Sequence, residues 1–137
     1  ARLGAVGARP GAFNTVRYSE KILERSGISV TTVDLSEILG TAAKIGENDS
    51  RLTAKIDEIK AYANATAVPP AKLAQMSRLG IVLDDFVAAH HLDATAIQCW
   101  TSLQSNHGCN VCTSMSMMSE NFLPSACEVD VTGVLTM

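Results

Sequence analysis

An α/β fold with a mostly parallel sheet and helices on both faces is predicted by three observations. Apolar or β-branched runs alternate with amphipathic helical stretches along the chain. The opening 34 residues read strand, helix, strand, the length of one βαβ unit. The whole chain, 137 residues, has the length of one domain, and its 47% apolar against 18% charged residues suffice to bury a core.

Taken in order, residues 1–8 are apolar and are broken by Arg9-Pro10-Gly11, which predicts a buried strand and a loop. Asn14 is the expected cap of a helix over about residues 15–25, with Val16, Ser19, Ile22 and Leu23 on one side. Gly27 closes it, because glycine tolerates left-handed geometry. Residues 28–33 are rich in β-branched side chains and predict a second strand, closed by Asp34. Asp49 or Ser50 caps the next helix, in which Leu52, Ile56, Ile59 and Ala63 form one stripe. Pro69-Pro70 breaks the chain, and Pro70 suits a first helical turn. Leu73, Met76, Leu79, Leu83, Phe86 and Val87 then predict a long helix to about residue 91. Strands are expected over 94–100 and 126–129, a helix over 109–121, and a last helix near Thr132. No internal repeat is visible. The chain starts without Met and stops within an apolar run, which reads as a fragment of a longer protein.

Net charge is −3, and the pI is near 5.5. That argues against nucleic acid, whose phosphates call for a basic face. Mean hydropathy is +0.15, and no apolar run reaches the roughly 18 residues of a membrane span. No signal peptide is recognised, and the four Cys form no evident disulfide framework, so a reduced, cytoplasmic setting is expected.

In parallel α/β sheets ligands bind at the carboxyl ends of the strands. Arg9, Asp34, residues 98–104 and Glu128 are therefore expected to share one rim. The loop from Gly4 to Gly11 lacks the G-x-G-x-x-G spacing of a dinucleotide site, and Arg9-Pro10 occupies its turn. Arg9 is a candidate for an anionic or polyhydroxyl ligand; a surface ion pair is the alternative. Cys109 and Cys112 form a C-x-x-C that admits zinc, a redox pair or plain burial, with Cys99, Cys127, His90 and His91 as further ligand candidates. His90-His91 otherwise suit a helix C-terminus. Met115, Met117, Met118 and Phe122 read as core or subunit contact. Glu128 follows a strand candidate and precedes a helix, which aims a carboxylate into the sheet-end crevice; a solvated turn is the competing reading.

Residues 106–137, and above all the segment 126–137 (ACEVDVTGVLTM), resemble the L-fucose/L-arabinose isomerase-like family. In that family an A-x-E-x-D segment supplies a metal-ligating carboxylate before a Gly-containing helix. Ala96-Ile97-Gln98-Cys99-Trp100 is similar to the strand that supplies a sugar-contacting Gln. The opening layout resembles the family's second domain, a Rossmann-like three-layer sandwich.

The resemblance implies one Rossmann-like domain over residues 1–137 of a multidomain aldose–ketose isomerase. It implies proton transfer through an enediol, with a monosaccharide substrate and a divalent cation, typically Mn²⁺. Glu128 is implied as catalytic carboxylate and metal ligand. Gln98, Trp100 and Arg9 are the expected substrate contacts, with Gln104 as rival to Gln98. The family's other metal ligands lie further along the chain, so residues 1–137 are expected to hold half a site, inactive and metal-free alone. The full-length protein is expected to be a homo-oligomer, and the Met115–118 region a large exposed apolar patch or dimer contact. Two alternatives stand beside this reading: a non-catalytic sugar-binding module, and a Cys-based metal or redox module.

Overall fold

Leu3, Ala5, Val6, Ala94, Ala96 and Ile97 are all but sealed from solvent, and they mark the two central strands of the sheet. Such strands are covered on both faces and so read as unbroken apolar runs. The computed structural model describes all 137 residues. Strands β1 (Arg2–Val6), β2 (Ser29–Val33), β3 (Ala94–Ile97) and β4 (Ser125–Ala126) form one sheet in the order β2-β1-β3-β4. Every pairing is parallel, with Val6 opposite Val33 and Ile97, and Ala96 opposite Ala126. The predicted α/β class and parallel sheet are present.

Helices cover both faces, giving three layers. On one side α2 (Leu35–Lys44), α4 (Pro70–His90) and α5 (Cys112–Glu120) bury a 19-residue cluster that includes Val6, Val33, Leu83, Ile97 and Leu103. Helix α3 (Ser50–Tyr62) packs outside α4. On the other side α1 (Glu20–Arg25) and α6 (Val131–Val134) border a seven-residue cluster of Leu3, Ala5, Ala94, Ala96, Val129, Val131 and Val134. No helix is long and apolar enough to cross a membrane.

Several expectations need correction. The helix over 15–25 is split into a 3₁₀ turn (Asn14–Val16) and α1. Asn14 caps nothing. Arg17 and Ser19 are extended, which lets Val16 be buried and Tyr18 pack against the smaller cluster. Ile22, expected on a buried side, is 64% exposed. Asp34 does close β2, but it also caps α2, a helix the sequence reading passed over: its carboxylate accepts the Ser36 N–H at 2.7 Å. Leu35, Ile38 and Ala42 form the buried stripe of α2. The C-terminal elements are shorter than expected. β3 stops at Ile97, a π-helical turn (Leu103–His107) precedes α5, and β4 spans two residues.

The proposed exposed patch at Met115, Met117 and Met118 is absent, because all three are buried. Helix α5 is covered from two directions. Met115 and Met118 enter the large cluster, and Met117 packs with Ile59 of α3 and Leu73 of α4.

Candidate functional site

The strand order places a topological switch between β1 and β3, since the chain leaves β1 for β2 on one side and returns to β3 on the other. Loops leaving the carboxyl ends at such a point diverge and open a crevice. Gln98, the first residue beyond β3, spans it. Its backbone N–H donates to Val6 O, its Oε1 accepts the Ala8 N–H at 2.9 Å, and its Nε2 donates to Trp100 O at 2.8 Å. Gly7 must be small here: it sits at φ +80°, and a Cβ would meet Gln98 Cβ at 2.9 Å. Both ends of the Gln98 amide are thus engaged in tying the two loops together.

Trp100 stands half-exposed beside Phe13, ring centroids 5.5 Å apart, so the two aromatic rings form one wall of the rim. Gln104 Nε2 donates to Cys99 O and to Asn110 Oδ1, both at 2.7 Å. Arg9 Nη1 donates to Pro10 O and Gly11 O, which folds its guanidinium back along its own loop. Asp34 lies on the same rim beyond β2, committed to its cap. The expected set shares one edge of the sheet.

Glu128 leaves β4 in a turn where it and Val129 both adopt left-handed backbone, φ 65° and 55°. Consecutive non-glycine residues there are uncommon, and a β-branched one more so. The turn directs Val129 into the smaller cluster and brings its N–H to Ile97 O at 3.4 Å. The Glu128 side chain turns inward from the rim and is part-buried. Oε1 accepts the Cys99 thiol at 3.1 Å, whereas Oε2 is buried with no hydrogen-bond partner. No salt bridge neutralises it. Burial first, and the Glu128 carboxylate second, push the Cys99 thiol up to about 12, so it remains a proton donor at neutral pH.

Cys127 is also raised, chiefly by burial, and its thiol points at Met115 Sδ. All four cysteines are free. Cys112 opens α5 as expected for a C-x-x-C pair, but burial pushes Cys109 up, opposite to the shift that activates a thiolate. No group of three or more His, Cys, Asp and Glu side chains is arranged to hold a metal ion. His91 forms the left-handed C-cap of α4, and His90 packs on Phe86. Beside the rim lies a cavity of about 300 Å³ whose lining includes Arg9, Arg17, Tyr18, Thr32 and Val129.

Over 99% of its length the chain is 28% identical to a sulfoquinovose isomerase of Clostridium sp. (strain MSTE9). Over 98% it is 25% identical to one of Alkalicoccus urumqiensis, and over 99% it is 20% identical to one of Priestia megaterium (strain ATCC 12872 / QMB1551). The chain spans 30% of the length of each of these relatives. No family model matches it. The expectation drawn from resemblance agrees with these sulfoquinovose isomerases at the level of a sugar isomerase.

Two participants escaped the sequence reading. Cys99 was weighed only as a metal ligand, and its pairing with Glu128 joins residues 29 apart. Arg17 was hidden inside the supposed helix over 15–25. Extended residues around Tyr18 would have been the signal that the chain turns back to the rim.

Proposed function

We propose that this domain belongs to a longer isomerase that interconverts the aldose and ketose forms of a sulfonated hexose. Two things support the reading: similarity to sulfoquinovose isomerases along nearly the whole chain, and the Glu128 oxygen left without a partner at the carboxyl edge of the sheet. The second observation carries the mechanism. A buried carboxylate oxygen without a donor is costly unless function requires it free.

Aldose–ketose isomerisation moves one proton from C2 to C1 and one between the two neighbouring oxygens, through an enediol. Glu128 is the group we assign to handle that proton or to fix the oxygens involved. Cys99 holds Oε1 and leaves Oε2 without a protein partner. Trp100 and Phe13 offer an aromatic face to the apolar side of a sugar ring. Gln98 fixes the loops that carry them, and Gln104 offers an amide oxygen that accepts no protein hydrogen bond.

A divalent cation such as Mn²⁺ fits Glu128 through one oxygen. Cys99 and Cys127 beside it are soft ligands that suit other metals better, and Asp130 is held in its cap through Oδ1, which accepts the Gly133 N–H and the Thr132 hydroxyl. This chain therefore supplies one ligand in our reading, and the rest would come from the longer protein. When bound, the cation would polarise the sugar's carbonyl. Homo-oligomeric assembly and a cytoplasmic setting form part of the same proposal.

The test is Glu128→Gln in the longer protein, with sulfoquinovose as substrate and Mn²⁺ present. Turnover should fall by about 10²–10⁴-fold, the usual share of a positioned acid–base group, with the fold intact. Unchanged turnover would overturn the assignment.

A further inference from the structure

We infer that the cavity lined by Arg9 and Arg17 is an anion seat that receives the sulfonate of the sugar. The inference rests on the proposed function for the identity of the ligand, and on the structure for the seat itself. Arg9 and Arg17 line the same cavity, and neither is paired with a carboxylate: the ion pairs of the molecule involve only Arg51 and Lys55 as cations. No acidic side chain lines the cavity. Glu20 faces the Tyr18 hydroxyl. Two arginines bordering one hollow with no acid in its lining give it a positive potential that suits an anion.

The chemistry of the seat is also selective. Two backbone N–H groups of the β1 loop at the cavity are spent, Gly7 on Val33 O and Ala8 on Gln98 Oε1. These two amides are therefore not free to cradle a phosphate as those of glycine-rich loops do. An anion here is held by side chains. Arg9 Nη1 is anchored to its own loop, which fixes the guanidinium plane and leaves Nε and Nη2 without protein acceptors. A guanidinium is charged at every relevant pH, and so is a sulfonate, so the match does not titrate. Tyr18 and Thr32 add hydroxyl groups, and Ala5, Val16 and Val129 make an apolar floor suited to a carbon chain.

Val129 supplies the link to chemistry. It lines the anion seat while its neighbour Glu128 presents the unpartnered oxygen. One left-handed turn thus joins the two groups, with Val129 on the cavity and Glu128 on Cys99.

The experiment is amide NMR of the 137-residue chain titrated separately with sulfoquinovose, glucose and inorganic sulfate. Sulfoquinovose should give saturable shifts at Gly7, Ala8, Arg9, Thr32 and Val129. Sulfate should compete at the same residues, and glucose should leave them unmoved. Arg17→Gln, an exposed position, should weaken sulfoquinovose about tenfold, the loss of one charge-assisted contact. Arg9→Lys should weaken it similarly, because the planar fork is lost. Equal shifts with glucose, failure of sulfate to compete, or unchanged affinity in Arg17→Gln would each overturn the seat. A conversion assay on the longer protein with Mn²⁺ present separates the two readings. Saturation of the cavity without conversion keeps the seat and sinks the isomerase. Conversion of sulfoquinovose that Arg9 and Arg17 substitutions leave unaltered sinks the seat and keeps the isomerase.

Discussion

The hairpin of α3 and α4 and the carboxyl rim of the sheet treat charged groups in different ways. In the hairpin a set of charges pairs off, although Gln75 Oε1 of α4 is buried without a partner. Lys55 lies between Glu58 and Asp84, Arg51 between Asp49 and Asp85, and the buried Ser77 hydroxyl donates to Leu73 O. At the rim a carboxylate oxygen is buried with none, two non-glycine residues hold left-handed backbone, and two arginines lack carboxylates. The contrast teaches where folding free energy is gathered and where it is surrendered. Sites that act on ligands hold groups in arrangements that packing alone does not favour.

Measurements at four positions break or sharpen this contrast. The largest effect concerns the rim thiol. With Cys99 pushed from 9 to about 12, its thiolate population at pH 8 falls by about a thousandfold relative to a free thiol. Alkylation followed by mass spectrometry should label exposed Cys112 readily and native Cys99 hardly at all. The sign for stability follows. The native state holds this proton more tightly, so the contribution is whole below about 9 and is lost as pH climbs toward about 12. A denaturation series that shows no Cys99-dependent decline in that window would remove the rim's acid–thiol pair from the argument.

In the helical layer, Leu79→Ala deletes a side chain 1% exposed and should cost about 3 kcal/mol by chemical denaturation. Gly7→Ala at the rim should cost about 2 kcal/mol, because it meets both a positive φ and the Gln98 side chain. Glu128→Gln should leave stability within about 1 kcal/mol of the parent, or raise it, since it removes a buried charge with an unsatisfied oxygen. A loss of about 3 kcal/mol there would instead make Glu128 a structural residue.

The hairpin was the easier of the two regions to read from sequence. Leu52, Ile56 and Ile59 in α3 and Leu73 to Phe86 in α4 repeat at helical spacing, and the Asp49 cap is local. The strands were visible for the same reason, because burial on both faces leaves an unbroken apolar signature. Helix α2 was missed because Asp34 was taken as a strand terminator only, when its side chain starts the next element two residues on. The placing of Glu128, Gln98 and Arg9 on one rim follows from topology, which alternation of strands and helices reveals. The bond from Cys99 to Glu128, the tie from Gln98 to Ala8, and the meeting of Arg9 with Arg17 depend on how loops fold back through space. No periodicity encodes that. The burial of Met115, Met117 and Met118 was misjudged because a helix wedged between a sheet and a hairpin has two inner faces, and methionines on either side of it look alike in sequence.

Strand β4 is held to its neighbour by two residue pairs and by the Thr95 hydroxyl, which donates to Ser125 Oγ at 2.8 Å. So short a ladder opens locally at far lower cost than the sheet as a whole. The acid that follows it is thus mounted on the shortest ladder of the sheet. Loosening of that ladder would part Oε1 from the Cys99 thiol and bring the partnerless Oε2 out toward an incoming molecule.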